Sequence, residues 1–241
     1  MLADRPLRAS LSFALALWAG CSETAVTVKE PPSALACSDS SALHSGEATF
    51  YTFADGSGNC MYDPTPDDLM IGAMNEAEYD SSAICGACAV VNGPEGVIRI
   101  RIVDRCPECR SGDIDLSPEA FALLADTSLG RVPITWRETP CELSGPVVYH
   151  FKQESGRWWT AVQVRNHRYP VATLEYLTRD GTYKRVARAQ FNYFIEPGGM
   201  GAGPFTFRIT DSHGHVLTDQ GILHRAGGDS PGSGQFPLCT R

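Results

Sequence analysis

Nine cysteines in a chain of 241 residues constrain this protein more than any other feature. Cys21 stands apart, directly after an apolar run. The remaining eight are Cys37, Cys60, Cys85, Cys88, Cys106, Cys109, Cys141 and Cys239. What they do depends on compartment, and the N-terminus speaks to that. Arg5 and Arg8 precede the apolar segment Leu11 to Gly20, which is too short to span a bilayer as a permanent helix. This is the pattern of an export signal. An even set of eight cysteines behind such a signal reads as four disulfides. The rival is a zinc ribbon, because Cys85-Gly-Ala-Cys88 and Cys106-Pro-Glu-Cys109 lie seventeen residues apart. Export and four further cysteines favour oxidation, so neither metal nor cofactor is expected. Cys21 follows Gly20 as at a lipoprotein cleavage site, although Trp18 stands where Leu is usual. Acylation at Cys21 and an ordinary signal peptide both remain open. Residues 1–21 are therefore assigned to the signal and 22–43 to a polar tether; the product is secreted or held at the cell surface.

The rest of the chain is rich in Gly (23) and Pro (16) and shows no long helical periodicity, which points to short strands joined by turns. Residues 46–53 read as a strand. Residues 60–84 read as a long irregular loop pinned by Cys60 and Cys85. Residues 97–103 (VIRIRIV) alternate strictly, with Ile98, Ile100 and Ile102 on one face and Arg99 and Arg101 on the other. That strand delivers Asp104 to its end. Ser117-Pro118 opens a short helix stopped at Gly130, and residues 133–138 form another strand. Ser144-Gly145-Pro146 is a short linker, so the segments 44–143 and 147–241 should touch. Beyond it lie strands at 147–152, 160–166, 171–177, 183–187, 205–210 and 216–223, with Asp180-Gly181 as a hairpin turn. This density of short strands suggests a β-sandwich. The tail 227–234 is Gly/Ser-rich.

Charge divides the chain. Residues 1–20 carry net +1, residues 21–144 net −13 and residues 145–241 net +4, giving −8 in all. The mildly basic C-terminal half suits an acidic polysaccharide surface. No basic cluster is interleaved with aromatics, which disfavours nucleic acid.

Three clusters carry chemistry. In Asp113-Ile114-Asp115-Leu116-Ser117-Pro118, Asp115 lies between apolar neighbours that disfavour its charged form, which suits a general acid or a donor to a glycosidic oxygen. Spacing alone favours the plainer role of supporting the helix N-terminus. In Arg157-Trp158-Trp159, adjacent tryptophans suit stacking on pyranose rings. A strict strand would send them to opposite faces, so both line one surface only if the chain departs from extended geometry. The run 198–203 (GGMGAG) is followed by Pro204 and no helix, so it is a mobile turn and not a dinucleotide loop. His213 and His215 flank Gly214 in a hairpin, where a turn role outweighs a metal site.

Taken together, Ala48 to Thr52 (ATFYT), Cys85 to Cys88, Val103 to Pro107 (VDRCP), Asp113 to Pro118 and Arg157 to Val171 (RWWTAVQVRNHRYPV) resemble the bacterial expansins over roughly residues 44–225. The resemblance implies a mainly β protein: a six-stranded double-psi β-barrel, related to family 45 glycoside hydrolases and barwin, followed by an immunoglobulin-like β-sandwich of the family 63 carbohydrate-binding type. It implies a non-hydrolytic, monomeric protein that loosens plant cell walls and binds cellulose, xyloglucan or other β-glucans. It assigns Asp115 to the essential aspartate and Thr49, Tyr51 and Asp104 to the same groove. Trp158, Trp159 and Phe191 match the aromatic cellulose-binding row, with Lys152 beside it. The cysteine spacing leaves the connectivity open; the pairing expected is Cys60–Cys85, Cys88–Cys141, Cys106–Cys109 and Cys37–Cys239. Two departures stand out. Cys106 replaces a groove Tyr, and Phe191 replaces the usual Tyr.

Hydrolysis would need a second carboxylate about 6.5–9.5 Å from the acid if the mechanism inverts. Asp55 is displaced into a turn dipeptide and is the candidate for an endo-glucanase alternative. The other alternative is a barwin-like peptidoglycan-cleaving lipoprotein, against which the tryptophan pair argues.

Overall fold

The computed structural model describes residues 42–239. Six strands close into a barrel: β1 (His44–Phe50), β2 (Ile71–Asn75), β3 (Cys88–Asn92), β4 (Val97–Cys106), β5 (Ile114–Leu116) and β6 (Val132–Thr139), in the order β1-β5-β2-β4-β3-β6. β1 runs parallel to β5, and β2 runs parallel to β4. The alternation in β4 is what its sequence requires: Ile98, Ile100 and Ile102 are buried and Arg99 is exposed. Their interior neighbours include Ile114, Leu116, Val91 and Phe121.

The segment 60–84 is not the irregular loop that its polarity suggested. It contains β2, and every residue of that strand is buried. It also contains the one-turn helix α1 (Glu76–Tyr79), capped by Asn75, whose side chain accepts from the Ala77 and Glu78 amides. The helix opened by Ser117 is shorter than expected. α2 spans Pro118–Phe121, and Gly130 instead ends a separate turn at Thr127–Leu129.

Two further sheets follow. One has the order β10-β9-β13-β14, formed by β9 (Val171–Leu177), β10 (Tyr183–Arg185), β13 (Phe205–Asp211) and β14 (Val216–Ile222). The other has the order β11-β12-β8-β7-β15, formed by β7 (Val148–Phe151), β8 (Thr160–Arg165), β11 (Ala187–Arg188), β12 (Phe194–Glu196) and β15 (Asp229–Pro231). Phe151, Val162, Val164, Leu174, Phe207 and Ile209 fill the core between them, as in a β-sandwich. β12 was not expected, and β15 lies inside the Gly/Ser-rich tail.

Three disulfides join Cys60 to Cys85, Cys88 to Cys141 and Cys106 to Cys109. The cysteines of the two C-x-x-C pairs are thus consumed in separate bonds and do not converge on one point. The bond expected between Cys37 and Cys239 involves Cys37, which lies outside the described residues, as do Cys21 and the signal. No described helix is long and apolar enough to cross a membrane.

The barrel meets the sandwich along a seam of hydrogen bonds. Gln163, buried on β8, donates to the Cys60 carbonyl (2.8 Å), and Arg165 reaches Asp63 (2.7 Å). The Gln190 carbonyl accepts from Asn59 (2.8 Å) and from the Tyr79 hydroxyl (2.9 Å). Arg188 donates to the Ser82 carbonyl, Ser82 to the Ala189 carbonyl, and the Cys141 amide to the Arg168 carbonyl.

Candidate functional site

Asp115 sits at the centre of β5, where the parallel register sets it beside Thr49 of β1 and the antiparallel register beside Ala73 of β2. Ile114 and Leu116 point into the barrel, so the period of two turns Asp115 outward. There it lines a cleft of about 580 Å³ with Glu47, Thr49, Glu108, Arg110 and Arg131. The Thr49 hydroxyl donates to Asp115 Oδ1. Burial pushes the Asp115 carboxyl above the usual carboxylate range, and the charges of Glu108 and Asp104 add to it. The Thr49 donor and the Arg131 charge act in the opposite direction and lose. The cleft therefore holds a carboxyl that gives up its proton less readily than a free aspartate does.

Asp113, two residues earlier, has another task. Its carboxylate accepts from the Glu47 amide (2.7 Å) and the Arg110 amide (3.1 Å), tying the disulfide loop 106–109 to the edge of β1. Asp104 likewise accepts two backbone amides, from Asn59 (2.6 Å) and Arg105 (2.8 Å). It clamps the turn 55–59 onto the end of β4. Gly58 lies so close that a Cβ there would stand 2.5 Å from the Asp104 side chain. Tyr51 is held far above its ordinary pKa, first by burial and then by Asp104, Asp115 and Asp55. Its hydroxyl is buried without a hydrogen-bond partner. Asp55 itself is exposed, and its carboxylate accepts from the Ser57 amide (2.9 Å) and hydroxyl (2.5 Å). Those bonds lower its pKa. Asp55 is not among the charges that shift Asp115; Glu108 is. Glu47, Glu108 and Arg131 were missed by sequence reasoning. They reach the cleft from β1, a disulfide loop and the approach to β6, with no local pattern to mark them.

The second site precedes β8. The chain leaves extended geometry at Gly156, whose amide donates to the Trp159 carbonyl (2.7 Å). This turn leaves Trp158 74% exposed and Trp159 half-buried. The Arg157 guanidinium lies 4.6 Å from the Trp158 ring centre. The glycine run braces this turn: the Gly201 amide donates to the Arg157 carbonyl (3.2 Å), and the Met200 amide donates to Thr160 Oγ1 (3.0 Å). Gly199 has φ +73°, and a Cβ there would meet the Arg157 carbonyl oxygen at 2.3 Å. Residues 198–203 are therefore a fitted support, not a mobile turn. Lys152 lies opposite Ala161, through its amide, and its Nζ pairs with Glu154 (2.7 Å). Phe191 is half-buried in the turn between β11 and β12, with its ring 6.1 Å from that of Tyr193. The β8–β12 register sets Glu196 opposite Thr160 and Phe194 opposite Val162, so the Phe191 turn lies toward Arg165. Six residues at about 3.3 Å each place it roughly 20 Å along the sheet from Trp159.

Known proteins resemble this chain over most of its described length. Residues 44–136 match the family model described as lytic transglycolase. Expansin-YoaJ of Bacillus subtilis (strain 168) is 35% identical over 204 residues, covering 81% of this chain and 87% of that protein. Expansin-like protein 2 of Dictyostelium discoideum is 30% identical, covering 82% of this chain and 51% of that protein. Among solved structures, the apo expansin of Clavibacter michiganensis superposes with a TM-score of 0.76 at 29% identity, covering 82% of this chain and 100% of that one. A mutant of that protein in complex with cellohexaose matches equally well. With a closed barrel, a sandwich and a relative at this identity over most of its length, the chain belongs to the bacterial expansins.

Proposed function

We propose that this protein binds cellulose and related β-glucans and loosens plant cell walls without hydrolysing them. Residues 147–241 act as the binding domain, with Trp158, Trp159 and Phe191 as the stacking row and Lys152 beside it. Residues 44–143 act on the glucan chain through Asp115, with Thr49, Tyr51 and Asp104 framing the groove. The observation that carries the reading is the placement of Asp115 in the polar cleft, where burial raises its pKa. A carboxyl that holds its proton more tightly than a free aspartate can donate to a glucan oxygen and compete with chain-to-chain hydrogen bonds. Hydrolysis asks for a second carboxylate free to activate water. Asp55 is spent on Ser57, Asp113 on backbone amides and Glu47 on Arg131 (2.9 Å). Glu108 is the cleft carboxylate that an endo-glucanase reading would have to use, because it faces Asp115 closely enough to shift it. The protein is exported by its N-terminal signal, held at the surface if Cys21 is acylated, and acts as a monomer.

The test is a clamped wall-strip extension assay run beside a reducing-sugar assay on amorphous cellulose. Extension without sugar release supports the proposal. Sugar release that vanishes in both Asp115→Asn and Glu108→Gln would establish a hydrolase instead.

A further inference from the structure

The seam between barrel and sandwich carries a second cleft, of about 250 Å³, that neither the barrel groove nor the tryptophan turn uses. Arg101 enters it from the outward face of β4, and Arg165 enters from the end of β8. Both guanidinium carbons stand within 6.0 Å of the Tyr62 ring centre. Arg165 is neutralised by Asp63, the acidic residue of the lining. Arg101 has no carboxylate within 4.0 Å among the described residues, and its guanidinium donates to the neutral Thr65 hydroxyl (3.3 Å). The cleft thus keeps one uncompensated positive charge on a domain surface that is otherwise acidic.

Its neutral lining is equally specific. His167 is buried, with Nδ1 bonded to the Tyr169 carbonyl (2.8 Å). Nδ1 therefore carries the ring proton, and Nε2 is left as an acceptor. Burial, with Arg188 and Arg101 assisting, holds this ring neutral down to a pKa of about 4. Tyr62 is 9% exposed, and its hydroxyl is buried, with the Asn192 side chain acting on it from the sandwich. Both groups converge on Gly86, where a Cβ would stand 2.3 Å from the Tyr62 hydroxyl and 2.8 Å from His167 Nε2. The lining therefore offers a cationic fork and an unprotonated ring nitrogen. A neutral glucan offers the fork hydroxyl oxygens but no charge. A simple inorganic anion offers charge but no ring of hydroxyls. A sugar acid has both a carboxylate and hydroxyls. The volume lies below the range of about 300–1,000 Å³ typical of drug-sized sites, which suits a single ring.

We propose that this cleft is a subsite for one carboxylate-bearing sugar unit of an acidic polysaccharide. Arg101 takes the carboxylate as a two-point fork, and His167 Nε2 accepts a ring hydroxyl. The proposal stands apart from the glucan reading, because it uses none of the stacking row and none of the Asp115 cleft.

Titration of the full mature chain with tri-galacturonate, cellotriose and inorganic phosphate, followed by backbone amide chemical shifts, tests it. Tri-galacturonate is expected to shift amides at 62–65, 86, 141–143 and 165–167. Cellotriose and phosphate at equal concentration should leave those amides unmoved. Arg101→Gln should weaken tri-galacturonate at least about tenfold, and Arg101→Lys by less, since it keeps the charge and loses the fork. Arg225→Gln, elsewhere on the basic domain, should change nothing. Cellohexaose should bind Arg101→Gln as it binds wild type, which separates this site from the tryptophan row. Shifts located elsewhere, equal weakening by Arg225→Gln, or displacement by phosphate would each overturn the proposal. If Arg101→Gln fails to fold, the wild-type shift map decides alone.

Discussion

At the scale of the residue, Asp115 is the group on which the proposed mechanism turns. Its raised pKa means the folded protein keeps a proton that the unfolded chain gives up. Stability from this group is therefore full below the unfolded value of 3.8 and falls as pH rises through the raised folded value. Asn cannot ionise, so Asp115→Asn should melt higher than wild type at pH 7 and together with it near pH 3, by scanning calorimetry. The same variant should lose wall extension and keep cellulose binding, because the proposed function places binding on the other domain. Full extension by Asp115→Asn would end this role. The pairing of Thr49 with Asp115 in one cleft was legible from the sequence, since both sit within short distinctive runs, whereas Asp104 and Tyr51 are not among the residues that line that cleft. Glu108 and Arg131 were not legible, because their roles come from the folding of distant segments onto one cleft. Asp104 was legible as a position but not as a clamp: its two amide partners become visible only once the 55–59 turn has closed over β4.

At the scale of the element, alternation carried the reading where one face of a strand is wet and failed where both are dry. β4 alternates and was legible. β2 (IGAMN) lies between β4 and β5 with all five residues buried, so it has no period of two to detect. β15 contributes mainly backbone to β7, and its Asp-Ser-Pro sequence looks like a loop. The glycine run at 198–203 was read as slack because composition does not distinguish a glycine that bends from a glycine that makes room. Gly199 makes room. Gly199→Ala should force the 157–158 turn outward and reduce cellulose sedimentation several-fold, while far-ultraviolet circular dichroism stays unchanged. Trp158→Ala with Trp159→Ala should do the same more severely, by more than about tenfold, since buried aromatic anchors dominate such contacts. Unchanged sedimentation of the folded double variant would place the platform elsewhere.

At the scale of the whole molecule, two groups near the seam titrate in opposing senses. Burial lowers His167 from 6.5 to about 4, so stability falls as pH drops through that window and the unfolded chain takes up the proton. Burial, with the Asp211 charge, raises Glu138 from 4.5 to about 7, so stability falls as pH rises through that window. Each limb has a ceiling on the order of 3 kcal/mol. Glu138→Gln should therefore gain melting temperature over wild type steadily between pH 4.5 and 7. A difference that does not vary with pH would show that Glu138 ionises freely. The charge division also has a readout: adding salt should weaken binding to whole, pectin-bearing walls more than binding to pure cellulose, as screened charge and uncharged stacking require. Equal slopes would remove charge from the account.

The Cys60–Cys85 bond has a consequence for how the protein is made. The Cys60 carbonyl is the acceptor for Gln163 and also lies within reach of Asn192 (3.4 Å). Cys141, closed onto Cys88, gives its amide to Arg168. Loops of 25 and 53 residues closed in this way restrict the unfolded chain by about 3.5 and about 4 kcal/mol. The surface that receives the C-terminal domain is thus built by oxidation of the N-terminal one. Synthesis runs in the same direction, so under the proposed export the receiving surface can be complete before its occupant has followed. Production in a reducing cytosol removes that order: the Cys60–Cys85 and Cys88–Cys141 loops stay open when the C-terminal domain arrives, so the yield of docked protein should fall.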